Sequence, residues 1–318
     1  MNESRDYKKI LFCGLENGGK TSILLILDKK FSLLTTVKPT IKARRTIHTN
    51  SLLGTTIVRW DLGGQKVYRK IYLGDKSRYF TEMQSIFYVI DIQAPKKFEE
   101  AINFLKDIVN ITSDSRPDNF QLLILLHKYD PDIKNNSNII TNVKFLENEI
   151  SSIIKNIKYS ILKTSIYDEP SLLKAFSDGV FYATHKSEMF QTLLKDYMGK
   201  TYNSSTLLLD QNCFIIASRS TNQAYQEICE SIAPRLTQAL EKLEEWDINT
   251  IDIVTNIEFP EKHSEFQKEG IIFLRKLDIG ETRLYLVALC LNKKVKIKSY
   301  EYLPLLAENL KNLLESFG

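Results

Sequence analysis

Residues Gly14 to Thr21 read Gly-Leu-Glu-Asn-Gly-Gly-Lys-Thr, and this stretch decides the fold. It matches the pattern G-x-x-x-x-G-K-[ST] of a phosphate-binding loop at every fixed position. The apolar segment 8–13 before it predicts a strand, and residues 22–27 after it predict the opening of a helix. Strand, loop and helix therefore follow in the order that a nucleotide site requires. We interpret the loop as the floor of that site.

The loop brings its own phosphate chemistry. Successive backbone N–H groups and the positive end of the helix dipole bind phosphate oxygens without side chains. Lys20 adds a mobile positive charge for the β- and γ-phosphates, and we also assign it a catalytic role because it neutralises developing charge. The Thr21 hydroxyl is a candidate Mg²⁺ ligand. The predicted nucleotide contacts from this loop are Glu16, Asn17, Gly18, Gly19, Lys20, Thr21 and Ser22. The alternative is a chance glycine-rich turn.

A second element follows two extended runs, 45–49 and 55–60, which predict a hairpin. The second run leads into Asp61-Leu62-Gly63-Gly64-Gln65. An acidic residue at a strand end can bind Mg²⁺ through water, which makes Asp61 a metal candidate. We expect the Gly64 N–H to contact the γ-phosphate and Gln65 to orient the attacking water. The alternative is an ordinary glycine-containing turn.

Thr40 is the candidate for a second Mg²⁺ hydroxyl and a catalytic position. It lies in the first connecting loop, in the context Pro39-Thr40-Ile41. The rival hydroxyls are Thr35, Thr36 and Thr46. A third alternative is that Thr40 only caps or covers a strand.

The base site is predicted where two later strands end. The apolar run 120–126 leads into His127-Lys128-Tyr129-Asp130. A carboxylate there can accept hydrogen bonds from N1–H and the exocyclic amine of guanine, which adenine does not offer as a pair. Ser165 and Ile166 follow the last strand, where a backbone N–H can meet the guanine O6. We therefore include His127, Lys128, Asp130, Ser165 and Ile166 in the nucleotide site.

Alternating strands and helices predict an α/β fold with a mostly parallel, doubly wound sheet, followed by an α+β region. The first part is predicted to contain helix 67–80, strand 85–92, helix 95–109, strand 120–126, helix 142–157, strand 159–163 and helix 171–183. The second part is predicted to contain helix 187–197, strands 206–209 and 213–218, helix 222–245, strands near 251–259, 270–277 and 283–291, and helix 302–316. We expect domains at residues 1–183 and 184–318.

Composition narrows the function classes. The net charge of +4 over 318 residues is too small to indicate a nucleic-acid partner. No apolar run approaches the roughly 20 residues of a membrane span, so we expect no direct membrane insertion. Residue 2 is Asn and the sequence ends Glu-Ser-Phe-Gly, so we also expect no lipid anchor. Four dispersed cysteines indicate reduced core residues and a cytoplasmic protein that partners can recruit to a membrane surface.

These motifs resemble those of Ras-like GTPases over residues 7–183, and in particular those of the Rag/Gtr branch. His127-Lys128-Tyr129-Asp130 has the H-K-x-D form typical of Rag proteins, and residues 164–169 resemble their T-S-I-W-D-E run. Pro39-Thr40-Ile41 and Gly14-Leu15-Glu16 are similar to Arf proteins. The order of elements after residue 184 resembles a roadblock/longin-like domain.

The resemblance implies a guanine-nucleotide switch that uses GTP/GDP with Mg²⁺ and hydrolyses GTP slowly. It implies a homo- or heterodimer through the C-terminal domain, GTPase-activating and exchange factors, and scaffold proteins as partners. The open alternative is a nucleotide-loaded subunit that scarcely hydrolyses GTP and serves as a scaffold. An unrelated α+β domain remains an alternative for the C-terminal part.

Overall fold

A computed structural model describes residues 7–50, 55–112, 116–155, 157–180, 185–259, 269–280, 282–291 and 293–316. Within this part of the chain, the residues up to Val180 form one compact unit and those from His185 onward form another. The expected domain boundary between residues 183 and 184 lies outside the described residues.

The first unit is built on one sheet. Its strands are β1 (Tyr7–Gly14), β2 (Ala43–Asn50), β3 (Thr55–Leu62), β4 (Met83–Asp91), β5 (Gln121–His127) and β6 (Tyr159–Thr164). Their order across the sheet is β2-β3-β1-β4-β5-β6. Strand β2 pairs antiparallel with β3, and the other pairs are parallel. The prediction of an α/β unit with a mostly parallel sheet is confirmed.

Helices connect the parallel strands and cover the sheet. They are α1 (Lys20–Leu27), α2 (Lys66–Gly74), α3 (Lys76–Phe80), α4 (Phe98–Thr112), α5 (Ser137–Ile153) and α6 (Glu169–Val180), with 3-10 turns at Phe31–Thr36 and Pro95–Lys97. Residues 10–13 of β1 are fully buried on both faces. Continuous apolar strands of this kind need cover on both sides, which parallel connections provide. The carboxyl ends of these parallel strands therefore share one edge, and their loops meet there.

Two helices of this unit differ from the sequence-based prediction. The helix expected over residues 67–80 is divided at Asp75, whose non-helical backbone (φ −113°, ψ 66°) ends α2 and whose side chain accepts from the Arg78 N–H at the start of α3. Helix α5 begins at Ser137, five residues before the predicted start at Asn142. Asn136 caps it by accepting from the Asn138 N–H at 2.9 Å, and asparagine is a favoured capping residue.

The second unit has an antiparallel sheet. Its strands are β7 (Ser205–Asp210), β8 (Ile215–Ser220), β9 (Asp252–Glu258), β10 (Glu269–Ile279) and β11 (Thr282–Cys290), and its helices are α7 (His185–Thr201), α8 (Gln223–Glu245) and α9 (Lys293–Glu315). The strand order is β8-β7-β11-β10-β9. The predicted order of helices and strands is confirmed, and with it the α+β class of this unit.

The faces of this sheet carry different helices. Leu207 and Leu209 of β7 join a core cluster with Cys229 and Ala233 of α8. Tyr300 of α9 stacks near Phe273, whose neighbours along β10 belong to the α8 cluster, so α9 lies on the opposite face.

Helix α9 begins at Lys293, nine residues before the predicted start at Tyr302, and keeps Pro304 in its interior. The segment 293–301 before the predicted start is helical as well, and Pro304 neither begins nor ends the helix. No helix in the described ranges is both long and apolar enough to cross a bilayer.

Candidate functional site

A cleft of about 250 Å³ opens at the carboxyl edge of the first sheet. It is lined by Glu16, Asn17, Gly18, Gly19, Lys20, Thr21, Ser22, Val37, Lys38, Pro39, Thr40, Gly64, Gln65 and Lys128. The structure thus brings the phosphate loop, the first connecting loop and the turn after β3 to one place. Most of the residues predicted from the sequence lie in this lining.

The phosphate loop depends on glycine where it meets β5. Gly19 has φ +92°, a left-handed conformation that glycine adopts without strain. A Cβ atom there would lie 2.5 Å from the His127 ring, so the imidazole packs directly on the loop backbone. Burial lowers the pKa of His127 to about 4, which keeps the ring neutral at pH 7. Its Nδ1 lies 3.0 Å from the Thr164 hydroxyl, and His127 therefore braces the loop without adding charge.

Lys20 lies on the floor of the cleft and is only 5% exposed. Its Nζ donates to the carbonyl oxygens of Gly14 at 3.2 Å and Leu15 at 2.7 Å. Burial lowers the pKa of this ammonium group, and the nearby Asp61 carboxylate opposes that shift. Both hydrogen bonds that the Lys20 ammonium makes within the described residues go to neutral carbonyls. This buried cation is therefore well placed to bind an anionic ligand, because such a ligand restores the interactions that burial removed.

Three oxygen-bearing side chains from three segments converge beside the loop. The Thr21 hydroxyl donates to Asp61 Oδ2 at 2.8 Å, and the Thr40 hydroxyl donates to the same atom at 3.1 Å. The two hydroxyls lie 2.8 Å apart. Among the rival threonines, Thr36 instead donates to the Leu33 carbonyl within its own turn. The geometry therefore favours Thr40 as the partner of Thr21 and Asp61.

This oxygen cluster fits a small divalent cation. Asp61 is buried, and its Oδ1 has no hydrogen-bond partner in the part of the chain that the structure describes. Burial raises the pKa of the Asp61 carboxyl, although the bond from Thr21 and the charge of Lys20 oppose the shift. A bound cation would stabilise the ionised carboxylate, and hydroxyl, carboxylate and water oxygens are the ligands that Mg²⁺ prefers.

The turn after β3 presses against the phosphate loop. A Cβ atom on Gly64 would lie 2.2 Å from the Leu15 carbonyl carbon, so glycine is required there. Arg69 of α2 donates from Nε to the Gly64 carbonyl at 2.9 Å and pairs through its guanidinium with Glu100 of α4. This arginine is buried and fixes the orientation of the Gly64 peptide. Gln65 is exposed at the cleft, and its side chain makes no hydrogen bond within the described residues.

Glu16 carries the negative charge of the loop, and Lys97 compensates it. The Lys97 ammonium lies 2.9 Å from Glu16 Oε1. Partial burial raises the pKa of the Glu16 carboxyl, but the hydrogen bond and charge of Lys97 outweigh it and the net pKa is lowered. The carboxylate is therefore ionised at pH 7 and faces a cation on the rim of the cleft.

Of the predicted base-binding residues, Lys128 lies in the lining of this cleft and the others lie outside it. The Ser165 hydroxyl donates to Asp130 Oδ1 at 2.5 Å. Lys128 donates from Nζ to Asp91 Oδ2 at 2.6 Å, and this bond fixes the end of a side chain that lines the cleft. Ile166 is half-buried directly after Ser165. The end of β5 and the loop after β6 are thereby joined through one carboxylate.

Four contacts at this edge were not predicted from the sequence. They involve Arg69 at Gly64, Lys97 at Glu16, Asp91 at Lys128 and Gln93 at Asp130. Asp91 and Gln93 end and follow β4, so the rule that loops meet at the carboxyl edge of parallel strands would have found them. Arg69 lies on α2 and Lys97 lies just before α4. The sequence does not show in which direction these two side chains point.

A family model described as the Gtr1/RagA G protein conserved region matches residues 9–271. The chain belongs to the Gtr1/RagA G protein family. GTP-binding protein GTR1 of Saccharomyces cerevisiae is 26% identical over 237 residues, which cover 70% of this chain and 72% of that protein. The predicted resemblance to Rag/Gtr proteins, the GTP-binding switch and the GTPase class are thereby confirmed, with a guanine nucleotide as the bound ligand.

The Arf-like features of the sequence also have a counterpart among the relatives matched by sequence. ADP-ribosylation factor-like protein 3 of Saccharomyces cerevisiae is 28% identical over 134 residues, which cover 41% of this chain and 63% of that protein. The solved structure of the Arl6 BBS3 small GTPase from Trypanosoma brucei, with bound nucleotide analogue GppNp, matches with 15% identity and a TM-score of 0.43. That match covers 54% of this chain and 94% of the solved chain.

Proposed function

We propose that this GTPase is a Mg²⁺-dependent switch that hydrolyses GTP slowly and signals through residues 33–48 and 62–80. The observation that carries the proposal is the convergence of Thr21, Thr40 and Asp61 on one point beside the phosphate loop. Two of these side chains lie in or beside the segments that would change state, and the third lies in the loop that binds phosphate. Nucleotide binding and segment position are therefore coupled.

The chain's own residues divide the work. Lys20 and the loop N–H groups bind the β- and γ-phosphates, while Thr21, Thr40 and Asp61 would hold Mg²⁺, directly or through water. The metal would supply positive charge that neutralises the charge of the phosphate oxygens. Gly64, which already touches the loop backbone, is placed to donate its N–H to the terminal phosphate. Loss of that phosphate would remove interactions that hold the segments of Thr40 and Gly64 against the phosphate loop.

Slow hydrolysis follows from the state of Gln65. Its side chain lies at the cleft but is not anchored by a hydrogen bond in the described part of the chain. A water molecule is therefore not held in line continuously, and positioning is most of the catalysis in phosphoryl transfer. A GTPase-activating partner can fix this side chain and add an arginine. In related enzymes such an arginine raises kcat by a factor of about 10³ to 10⁵. Exchange factors would reopen the same segments.

Replacement of Gln65 by leucine is expected to keep GTP affinity and to slow hydrolysis by roughly tenfold or more, because water positioning is lost and no phosphate contact is removed. Single-turnover release of phosphate from GTP-loaded protein, with and without Mg²⁺, measures this. Lys70→Ala, an exposed change on the helix that follows Gln65, is the matched control.

Equal rates for the wild-type and Gln65→Leu proteins, with Lys70→Ala also unchanged, would remove Gln65 from the mechanism. A wild-type protein that stays GTP-loaded for hours, even with an activating partner, would favour the alternative of a hydrolysis-poor scaffold subunit.

We also propose that the C-terminal unit, residues 184–318, is a roadblock-type dimerisation and scaffold-docking domain. Strand β9 is at the edge of its sheet and pairs with β10 within the described residues. Large apolar side chains on and before this strand are exposed, namely Trp246, Ile248, Ile251 and Val254. An apolar edge strand of this kind favours pairing with another chain. The partner is a second copy or a related GTPase.

The double substitution Ile251→Lys and Val254→Lys is expected to weaken dimerisation at least tenfold, because charged edge positions oppose strand pairing. Light scattering of the full chain at micromolar concentration, alone and mixed with a related GTPase, reports the mass. Ile47→Lys, an exposed apolar residue on edge strand β2 of the first unit, is the control. A wild-type chain that stays monomeric in both cases would contradict the dimer.

We place this activity in the cytoplasm, with partner-mediated recruitment to membrane surfaces. The support is the mild net charge and the absence, within the described residues, of a helix that could span a bilayer.

A further inference from the structure

Gln93 is a side chain at the base site that the family motifs do not include. It lies two residues after the end of β4 and is exposed. Its amide nitrogen donates to the Lys128 carbonyl oxygen at 2.8 Å and to Asp130 Oδ2 at 3.0 Å. An amide nitrogen has two hydrogens, so both are used on the loop that carries the predicted base contacts.

The backbone of Gln93 is itself fixed. Its N–H donates to Asp91 Oδ1 at 2.9 Å, while Asp91 Oδ2 accepts from the Lys128 ammonium at 2.6 Å. Asp91 therefore ties the start of the Gln93 turn to the loop after β5. The Gln93 amide reaches Asp130 from a turn that is already anchored to the same loop.

Asp130 is held through both of its oxygens. Ser165 donates to Oδ1 and Gln93 donates to Oδ2. An ionised carboxylate offers about four lone-pair sites, two on each oxygen. One lone-pair site on each oxygen remains for a ligand. A ligand with two adjacent N–H donors can use both sites only if the plane of the carboxylate does not rotate.

We infer that Gln93 is a positioning residue for base recognition, which sets the rotation of the Asp130 carboxylate and thereby the preference for guanine over bases that offer one donor. The inference rests on the proposed guanine-binding role of Asp130. Gln93 acts through Asp130 and not by contact with the base. The bond that it makes lies in solvent, so its effect is on geometry more than on total affinity.

Inosine triphosphate separates these effects because hypoxanthine keeps N1–H and lacks the exocyclic amine. A freely rotating carboxylate loses more with the two-donor base than with the one-donor base. Gln93→Ala is therefore expected to lower GTP affinity about three- to tenfold and ITP affinity less, so that the GTP/ITP preference shrinks. Gln93→Glu removes both donors and places a like charge beside Asp130, and we expect a larger loss for GTP.

The experiment is competition of GTP, ITP and ATP against a fluorescent guanine nucleotide on the full chain. Lys96→Ala, an exposed change in the same connection, is the control and is expected to match wild type. A smaller GTP/ITP preference in Gln93→Ala and a further loss in Gln93→Glu support the inference. Equal weakening of all three nucleotides shows a general structural role and overturns it, as does wild-type behaviour of Gln93→Glu.

The same measurement separates this inference from the site itself. If wild-type protein prefers GTP over both ITP and ATP and Gln93→Ala keeps the full preference, only the role of Gln93 fails. If wild-type protein shows no preference for GTP, the assignment of Asp130 fails and the role of Gln93 fails with it.

Discussion

Replacement of Lys20 by alanine is expected to abolish tight nucleotide binding. The ammonium group lies on the floor of the cleft and donates to the Gly14 and Leu15 carbonyls, where it can also bind a phosphate. Hydrogen bonds to charged groups contribute about 1.5 to 3 kcal/mol each, so losing the bonds to two phosphates should cost about 3 to 6 kcal/mol. This corresponds to a loss of roughly 10² to 10⁴ in affinity.

Calorimetric titration of nucleotide-free protein with GTP measures this loss. Lys30→Ala, an exposed lysine just after α1, is the control and should bind like wild type. Burial lowers the pKa of Lys20, because the ammonium group loses hydration on folding. Thermal unfolding of nucleotide-free Lys20→Ala checks that the variant is folded. Wild-type affinity in this variant would show that the phosphate loop is wrongly assigned.

The phosphate loop and the strand ends could be predicted because their signals are local. Loop, strand and helix are consecutive in the chain, and the glycine and lysine spacing is fixed by phosphate geometry. The same holds for the position of Asp61 at the end of β3 and of Asp130 after β5. Thr40 is less well determined by the sequence, because Thr35, Thr36 and Thr46 also offer hydroxyls and only the folded chain shows that Thr40 reaches Asp61.

The contacts that tie these motifs together could not be predicted. Arg69 meets Glu100 across 31 residues, and Lys97 meets Glu16 across 81 residues. Each contact depends on how a helix is oriented relative to the sheet. Hydrophobic periodicity in the sequence does not determine that orientation. The start of α5 at Ser137 is different, because its signals are local: Asn136 is a capping residue and Ile139 is buried in the first turn.

Replacement of Asp130 by asparagine is expected to change base specificity. The carboxylate, held by Ser165 and Gln93, should accept two hydrogen bonds from guanine. Asparagine places an amide donor where guanine also donates. With charged hydrogen bonds at about 1.5 to 3 kcal/mol each, losing two should weaken GTP binding by roughly 10² to 10⁴. Xanthine should be accepted instead, since its 2-oxo group takes a bond from the new amide.

Competition of GTP, ATP and xanthosine triphosphate against a fluorescent guanine nucleotide decides the matter. Asp132→Asn, an exposed acid two residues further along the loop, is the matched control. Because neutral His127 braces the phosphate loop through Gly19 and bonds Thr164, the phosphate contacts should survive in Asp130→Asn, and xanthosine triphosphate should bind at a usable affinity. Unchanged GTP affinity in the variant, or a wild-type preference for ATP, would exclude Asp130 as the guanine contact. Loss of all three nucleotides together would indicate collapse of the loop, which thermal unfolding of the same variant would reveal.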